Sequence, residues 1–173
     1  EILEPYKGYI YDPACGSGGM FVSSEKFIEA HGGKVGDLSI YGQESNYTTW
    51  RLAKMNLALR GIDAQIAHGD TFHAPAHKDL RADFVLANPP FAGRVDKDRI
   101  VDEVKVGTAT ATELLFLKYM MDSLRPGGRC GVLVLDGALF GSTNAHKELH
   151  RQLVENNRVE AVMSLPGGVF QPY

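Results

Sequence analysis

Apolar residues in this chain fall into two patterns: short runs, and longer stretches in which they recur every three to four positions. The runs predict strands at 9–12, 38–43, 64–67, 83–87, 130–135 and 159–165. The longer stretches predict helices at 19–31, 46–60, 113–124 and 144–156. Phe84-Val85-Leu86-Ala87 and Val132-Leu133-Val134-Leu135 are apolar without interruption, as expected of strands covered on both faces. Strand and helix alternate throughout, which predicts an α/β fold: a mostly parallel, doubly wound sheet with helices on both sides.

Local signals set the element limits. Ser45 or Asn46 caps the second helix and Gly61 stops it, with Tyr47, Trp50, Ala53 and Leu57 on one face. Thr112 caps the third helix, whose stripe is Leu114, Leu117, Met121 and Leu124. Pro126-Gly127-Gly128 ends that helix and turns the chain into the next strand. Ser142 or Thr143 opens the fourth helix. The aromatic and Met positions of these helices read as core. Segment 92–111 is long, polar and weakly periodic, and reads as a solvated loop. Its place directly after Phe91 also suits substrate contact. No internal repeat or low-complexity tract interrupts the pattern.

Composition narrows the function. A chain of 173 residues suffices for one domain with a sizeable core. Its net charge of −3 is not that of a general polyanion binder, so a nucleic-acid substrate would need a local patch or a partner to supply positive charge. Cys15 and Cys130 stand far apart with no CxxC, which suits a reducing compartment and argues against a disulfide framework. No apolar run reaches membrane-spanning length, and no signal-peptide pattern is visible. The chain opens on Glu1 almost directly at a strand, so a piece of a longer protein is expected.

The candidate chemistry begins at Asp12-Pro13-Ala14-Cys15-Gly16-Ser17-Gly18-Gly19-Met20, between the first strand and the first helix. Strand, glycine-rich turn and helix form a nucleotide-cofactor arrangement. The third glycine of the dinucleotide fingerprint is replaced by Phe21, and no Gly-Lys-Ser/Thr follows. That disfavours an NAD dehydrogenase and excludes a phosphate-cradling P-loop. Asp12 would repel a phosphate but suits an ammonium group. These features favour a cofactor with an amino-acid end, such as S-adenosylmethionine, over a purely structural turn. Glu44 closes the second strand, where a carboxylate can accept two hydrogen bonds from a ribose diol. Asp70 closes the third, where it can accept from an adenine amino group. The three acids are expected to face one crevice at the strand ends.

Asn88-Pro89-Pro90-Phe91 ends the fourth strand. The prolines stiffen the turn and bias Asn88 towards extended geometry. The Asn88 side-chain oxygen and the Pro89 carbonyl can both accept from one exocyclic NH2, and Phe91 offers a face for a planar base. An aromatic amine is a poor nucleophile, because its lone pair is delocalised into the ring. Two acceptors favour a pyramidal nitrogen and stabilise the positive charge that grows as it attacks.

These stretches, with Tyr41-Gly42-Gln43-Glu44, Glu113-Leu114-Leu115-Phe116-Leu117, Pro126-Gly127-Gly128-Arg129 and Ser164-Leu165-Pro166-Gly167-Gly168-Val169-Phe170, resemble the methylation subunit of type I restriction–modification systems. The resemblance covers nearly the whole chain. It implies a Rossmann-like S-adenosylmethionine-dependent methyltransferase domain over 1–173, acting on N6 of a flipped adenine in DNA in the cytoplasm of a bacterium or archaeon. It further implies that Ala14, Gly16, Ser17, Gly18 and Gly19 line the cofactor, Asp12 holds its amino group, Glu44 its ribose and Asp70 its adenine ring. Asn88, Pro89, Pro90 and Phe91 would receive the target base. A specificity subunit and a restriction subunit are the implied partners. The family carries an N-terminal helical domain and a seventh, antiparallel strand that this sequence lacks, so an exposed sheet edge is expected. Weak cofactor binding and poor methylation are expected of these residues alone.

Other readings stay open on the residues. A related Asn-Pro-Pro methyltransferase would modify RNA or a protein glutamine, and a scaffold module would bind cofactor without turnover. No metal site is expected: His146 and His150, and His73 and His77, are spaced by four but read as solvated histidines. Cys15 reads as a small turn residue.

Overall fold

The computed structural model describes residues 3–91, 93–166 and 168–169. Five strands, β1 (Gly8–Asp12), β2 (Leu38–Glu44), β3 (Ala64–His68), β4 (Ala82–Ala87) and β5 (Leu124–Val132), form one parallel sheet in the order β3-β2-β1-β4-β5. The chain winds outward from β1 through β2 to β3. It then crosses back, so that β4 pairs on the other side of β1. The winding direction reverses between β1 and β4, and in open α/β sheets ligands bind outside the carboxyl ends of the strands at such a point.

Helices α1 (Gly19–Ala30) and α2 (Tyr47–Ala58) cover one face, and α3 (Thr112–Asp122), the short α4 (Asp136–Phe140) and α5 (Asn144–Asn156) cover the other. Alternation along β1 feeds both layers. Ile10 packs with Phe21, Ile28, Ala53 and Leu57, whereas Tyr11 packs with Val85, Leu115, Met120 and Leu149. Asn46 caps α2 by accepting the Thr49 amide at 3.0 Å, and Thr143 caps α5. The doubly wound, Rossmann-like α/β fold is as the alternation predicts.

Several expectations need correction. Residues 159–165 form no strand, and Val162 and Met163 are exposed. Their alternation suits a strand, but a strand needs a ladder partner, and among the described residues β5 pairs with β4 alone. No antiparallel strand joins the sheet among those residues. Gly167 and Phe170, and Gln171 to Tyr173 beyond them, lie outside the described residues.

Pro126-Gly127-Gly128 does not precede the last strand; it bulges within β5, between the pairs Ala82–Leu124 and Phe84–Arg129. Thr112 does not cap α3 from outside: Ala111 holds the cap position, and the Thr112 hydroxyl turns to Gly93 instead. On α2 only Ala53 and Leu57 of the proposed face are buried, while Tyr47 and Met55 are exposed. Residues 93–111 are not a solvated loop, because Ile100, Val104 and Val106 enter the core beside α3.

Candidate active site

β1 and β4 run side by side, with Ile10 opposite Phe84 and Tyr11 opposite Val85. The glycine turn that follows Asp12 and the turn that follows Ala87 therefore leave the same edge of the sheet on adjacent strands. Gly16 and Gly18 adopt φ of +55° and +77°, a left-handed geometry that glycine reaches without steric cost. The turn is braced from four sides. The Cys15 amide donates to the Gln43 carbonyl at 3.0 Å and Gly16 to Glu44 Oε2 at 3.1 Å. Asn56 Nδ2 donates to the Ser17 carbonyl at 2.8 Å, and the buried Thr71 hydroxyl to the Pro13 carbonyl at 2.7 Å.

Asp12 is 1 % exposed. Its Oδ1 accepts the Ala14 amide at 2.9 Å, its one hydrogen bond among the described residues. Burial pushes the carboxyl up to about 7; the Ala14 amide opposes the shift and the nearby Glu44 adds to it. A buried acid in this state gains from a cation brought to it, so it fits the amino group of an amino-acid cofactor and disfavours a phosphate. Ideal Cβ atoms on Gly16 and Gly19 would meet nothing within 4 Å, so both backbones face open space on the cradle side.

Both oxygens of Glu44 already carry backbone hydrogen bonds, Oε2 from Gly16 and Oε1 from Asn46 at 2.7 Å. Each retains a lone pair for a diol. Asp70 lies two residues beyond β3. Its Oδ1 accepts the Phe72 amide at 2.7 Å, and its Oδ2 lies 3.2 Å from His73 Nδ1. On the far side of the crevice Asn88 is exposed, Pro89 buried and Phe91 half-buried. The Asn88 side chain makes no hydrogen bond among the described residues, so its amide oxygen is free to accept one.

Gln43 carries a part that motif reading missed. It is fully buried, its Nε2 donates to the carbonyls of Gly69 and Ala74 at 3.1 and 2.9 Å, and its Oε1 accepts the Ala76 amide at 2.9 Å. It thereby fixes the loop that carries Asp70. The available signal was a polar side chain late in the strand, beside Gly42 and Glu44. Two of the four histidines are tied to backbone rather than solvated: His77 Nε2 meets the Gly42 carbonyl at 3.1 Å and His150 Nε2 the Ala138 carbonyl at 2.8 Å. Burial lowers the His77 pKa. No cluster able to hold a metal occurs among the described residues. Burial pushes the Cys15 thiol well up, which keeps it protonated and poorly nucleophilic.

The family model described as N-6 DNA Methylase matches residues 1–173. The chain belongs to that family. The HindI methylase subunit of a type I restriction enzyme from Haemophilus influenzae is 40% identical over 177 residues, covering 98% of this chain and 40% of the relative. The MjaIX methylase subunit of Methanocaldococcus jannaschii is 34% identical, covering 98% of this chain and 32% of its own length. The fold matches a modification subunit of a putative type I restriction enzyme from Vibrio vulnificus, with a TM-score of 0.73 at 28% identity over 88% of this chain and 35% of that one. The EcoKI M protein matches with a TM-score of 0.72 at 25% identity, over 86% of this chain and 34% of that one. The chain thus spans about two fifths of the length of the HindI subunit. No helix among the described residues is long and apolar enough to cross a membrane.

Proposed function

We propose that residues 1–173 are the catalytic domain of an S-adenosylmethionine-dependent methyltransferase that modifies N6 of adenine in DNA. The domain would belong to the modification subunit of a type I restriction–modification system, working with a specificity subunit and a restriction subunit. The observation that carries this reading is the pairing of β1 with β4 at the reversal of the winding, which sets the glycine turn and Asn88-Pro89-Pro90-Phe91 side by side. The names of the relatives agree with it, since they are methylase subunits of type I restriction enzymes.

Asp12 would hold the cofactor's amino group, Ala14, Gly16, Ser17, Gly18 and Gly19 would line its methionine and sugar, Glu44 would meet the ribose and Asp70 the adenine ring. When bound, the cofactor supplies an electrophilic methyl group. The chain's own part is placement and polarity. The target adenine must leave the stack to reach the crevice. Phe91 then offers a stacking face, while Asn88 Oδ1 and the Pro89 carbonyl accept from N6 and turn its lone pair out of the ring plane. These acceptors are worth most as positive charge grows on that nitrogen. The N6 proton becomes acidic only as the new bond forms, so no strong base is needed beforehand. The chain's net charge of −3 suits delegation of general DNA binding to a partner.

The test uses the full-length protein with its specificity subunit. Labelled methyl from S-adenosylmethionine should enter DNA and be recovered as N6-methyladenine after digestion. Label on another base, on RNA or on a protein glutamine would refute the assignment.

A further inference from the structure

Residues 93–112 are not needed by the chemistry above, yet they form a built feature beside it. The strap is pinched at its base: the Gly93 amide donates to Thr112 Oγ1 and the Thr112 amide to the Gly93 carbonyl, both at 3.1 Å. The Val95 amide donates to the Thr110 carbonyl at 2.9 Å, and Arg94 pairs antiparallel with Ala111. Inside the pinch lie two 3-10 turns, Lys97–Arg99 and Asp102–Val104, and Ile100, Val104 and Val106 of this stretch are each at most 4 % exposed. The Val101 amide donates to the Phe72 carbonyl at 3.0 Å. The strap therefore begins two residues after Phe91 and is tied two residues after Asp70. It bridges the loops that follow β3 and β4 at the ligand-binding edge of the sheet.

Its outer side carries Arg94, Lys97 and Arg99, all exposed and without an ion pair among the described residues. A hollow of about 380 Å³ opens between Lys97 and Lys105, with Asp98, Gly107 and Thr108 on its wall. Lys105 is paired with Asp102 at 2.5 Å, and Asp96 accepts the Asp98 amide at 3.2 Å. Four acids, Asp96, Asp98, Asp102 and Glu103, balance the four cations of the strap. A neutral strap does not draw in a polyanion from a distance, but it can engage individual phosphates once the duplex is delivered. Such contacts set register and orientation rather than sequence choice.

We propose that this strap seats the DNA backbone next to the flipped base, with Arg94, Lys97 and Arg99 on phosphates and the Lys97–Lys105 hollow receiving one of them. This rests on the reading of the site as a DNA methyltransferase. It adds the contact that holds the strand while the base is out of the stack.

The test compares the full-length protein, assembled with its specificity subunit, with the variant Arg94→Gln/Lys97→Gln/Arg99→Gln. A control, Lys7→Gln/Lys34→Gln, neutralises exposed lysines that precede β1 and β2 at the opposite edge. Each lost phosphate contact should lower the slope of log affinity against log salt by about 0.9. The strap variant should therefore lose about two to three units of slope and raise KM for DNA roughly tenfold or more. Its rate at saturating DNA, its cofactor affinity and its melting temperature should stay within error of the parent. An unchanged slope, or an equal fall in the control, overturns the proposal. So does loss of subunit assembly in the strap variant, which would make the strap a protein interface. A parent complex that shows the strap-dependent slope but transfers no methyl would sink the catalytic reading while leaving the strap in place.

Discussion

Glu44 reaches from the end of β2 to accept the Gly16 amide at 3.1 Å, locking the glycine turn to the neighbouring strand. The same carboxylate accepts Asn46 at 2.7 Å through its other oxygen. One side chain thus shapes the cradle and keeps a lone pair on each oxygen. Glu44→Ala should lower unfolding stability by about 1–3 kcal/mol, the usual cost of losing charge-assisted bonds to partly buried amides. Cofactor affinity should fall at least roughly tenfold, since 1.4 kcal/mol of lost binding already gives that factor. Denaturant unfolding and calorimetric titration check the two effects separately.

Asp12 gives a signed pH dependence. In the folded protein its carboxyl is raised from 3.8 to about 7. Between these values the folded state keeps a proton that the unfolded state has released, so stability falls as pH rises through the window. The penalty is complete above pH 7 and amounts to roughly 4 kcal/mol at most, at 1.36 kcal/mol per pH unit. Asp12→Asn should flatten this part of the stability profile. In the parent, cofactor affinity should climb as pH rises from about 5.5 to 7, because the carboxyl must ionise to meet an ammonium group that stays charged up to nearly 8. Thermal melts and binding titrations across that range measure both trends. A flat affinity profile in the parent would remove Asp12 from cofactor binding.

Asn88→Ala should separate the two halves of the site. Removing the amide oxygen should lower the methylation rate by about 10²-fold or more, as loss of one acceptor or donor aimed at developing charge commonly does. Cofactor affinity should stay within about twofold, because the glycine turn is held by Gln43, Glu44, Asn56 and Thr71 rather than by Asn88. Single-turnover transfer and equilibrium binding distinguish these effects. Equal losses in both would mean that Asn88 supports the cofactor site instead.

Gly42 tests the packing beneath the cradle. An ideal Cβ there would lie 2.9 Å from Ile66 Cδ1, 3.0 Å from Phe21 Cε2 and 3.1 Å from Cys15 Sγ. Gly42→Ala should cost about 1–3 kcal/mol through overpacking. Cys15→Ala in the same chain should recover part of it, by removing the sulfur that the new methyl meets. A double-mutant cycle by chemical denaturation measures the coupling.

The layers of this fold were readable because their signals are local. Ile10 and Tyr11 point to opposite faces, Phe84 to Ala87 is apolar throughout, and Asn46 and Thr143 cap the helices they precede. The motifs were readable too, since Asp12, the glycines and Asn88 to Phe91 sit at strand ends. What the sequence hid depends on partners distant in the chain. Val159, Ala161, Met163 and Leu165 alternate as a strand does but join no ladder among the described residues. Ile100, Val104 and Val106 are scattered among charges without a clean period, and only packing against α3 shows them to be core. Thr112 has the chemistry of a cap, yet the pinch with Gly93 claims its hydroxyl. Gln43 has no role assigned by its motif, and its three hydrogen bonds span up to 33 residues of sequence.

In the function proposed here, one crevice between the ends of β1 and β4 brings a methyl donor to an exocyclic nitrogen. The most direct measurement is a crystal structure of the full-length protein and its specificity subunit with target DNA and an unreactive S-adenosylmethionine analogue. The analogue's amino group should lie at Asp12 and the adenine N6 between Asn88 Oδ1 and the Pro89 carbonyl. The donor position should lie within about 3–3.5 Å of N6, the separation of a near-attack arrangement. An analogue bound away from the glycine turn, or a target base seated away from Asn88, would contradict it.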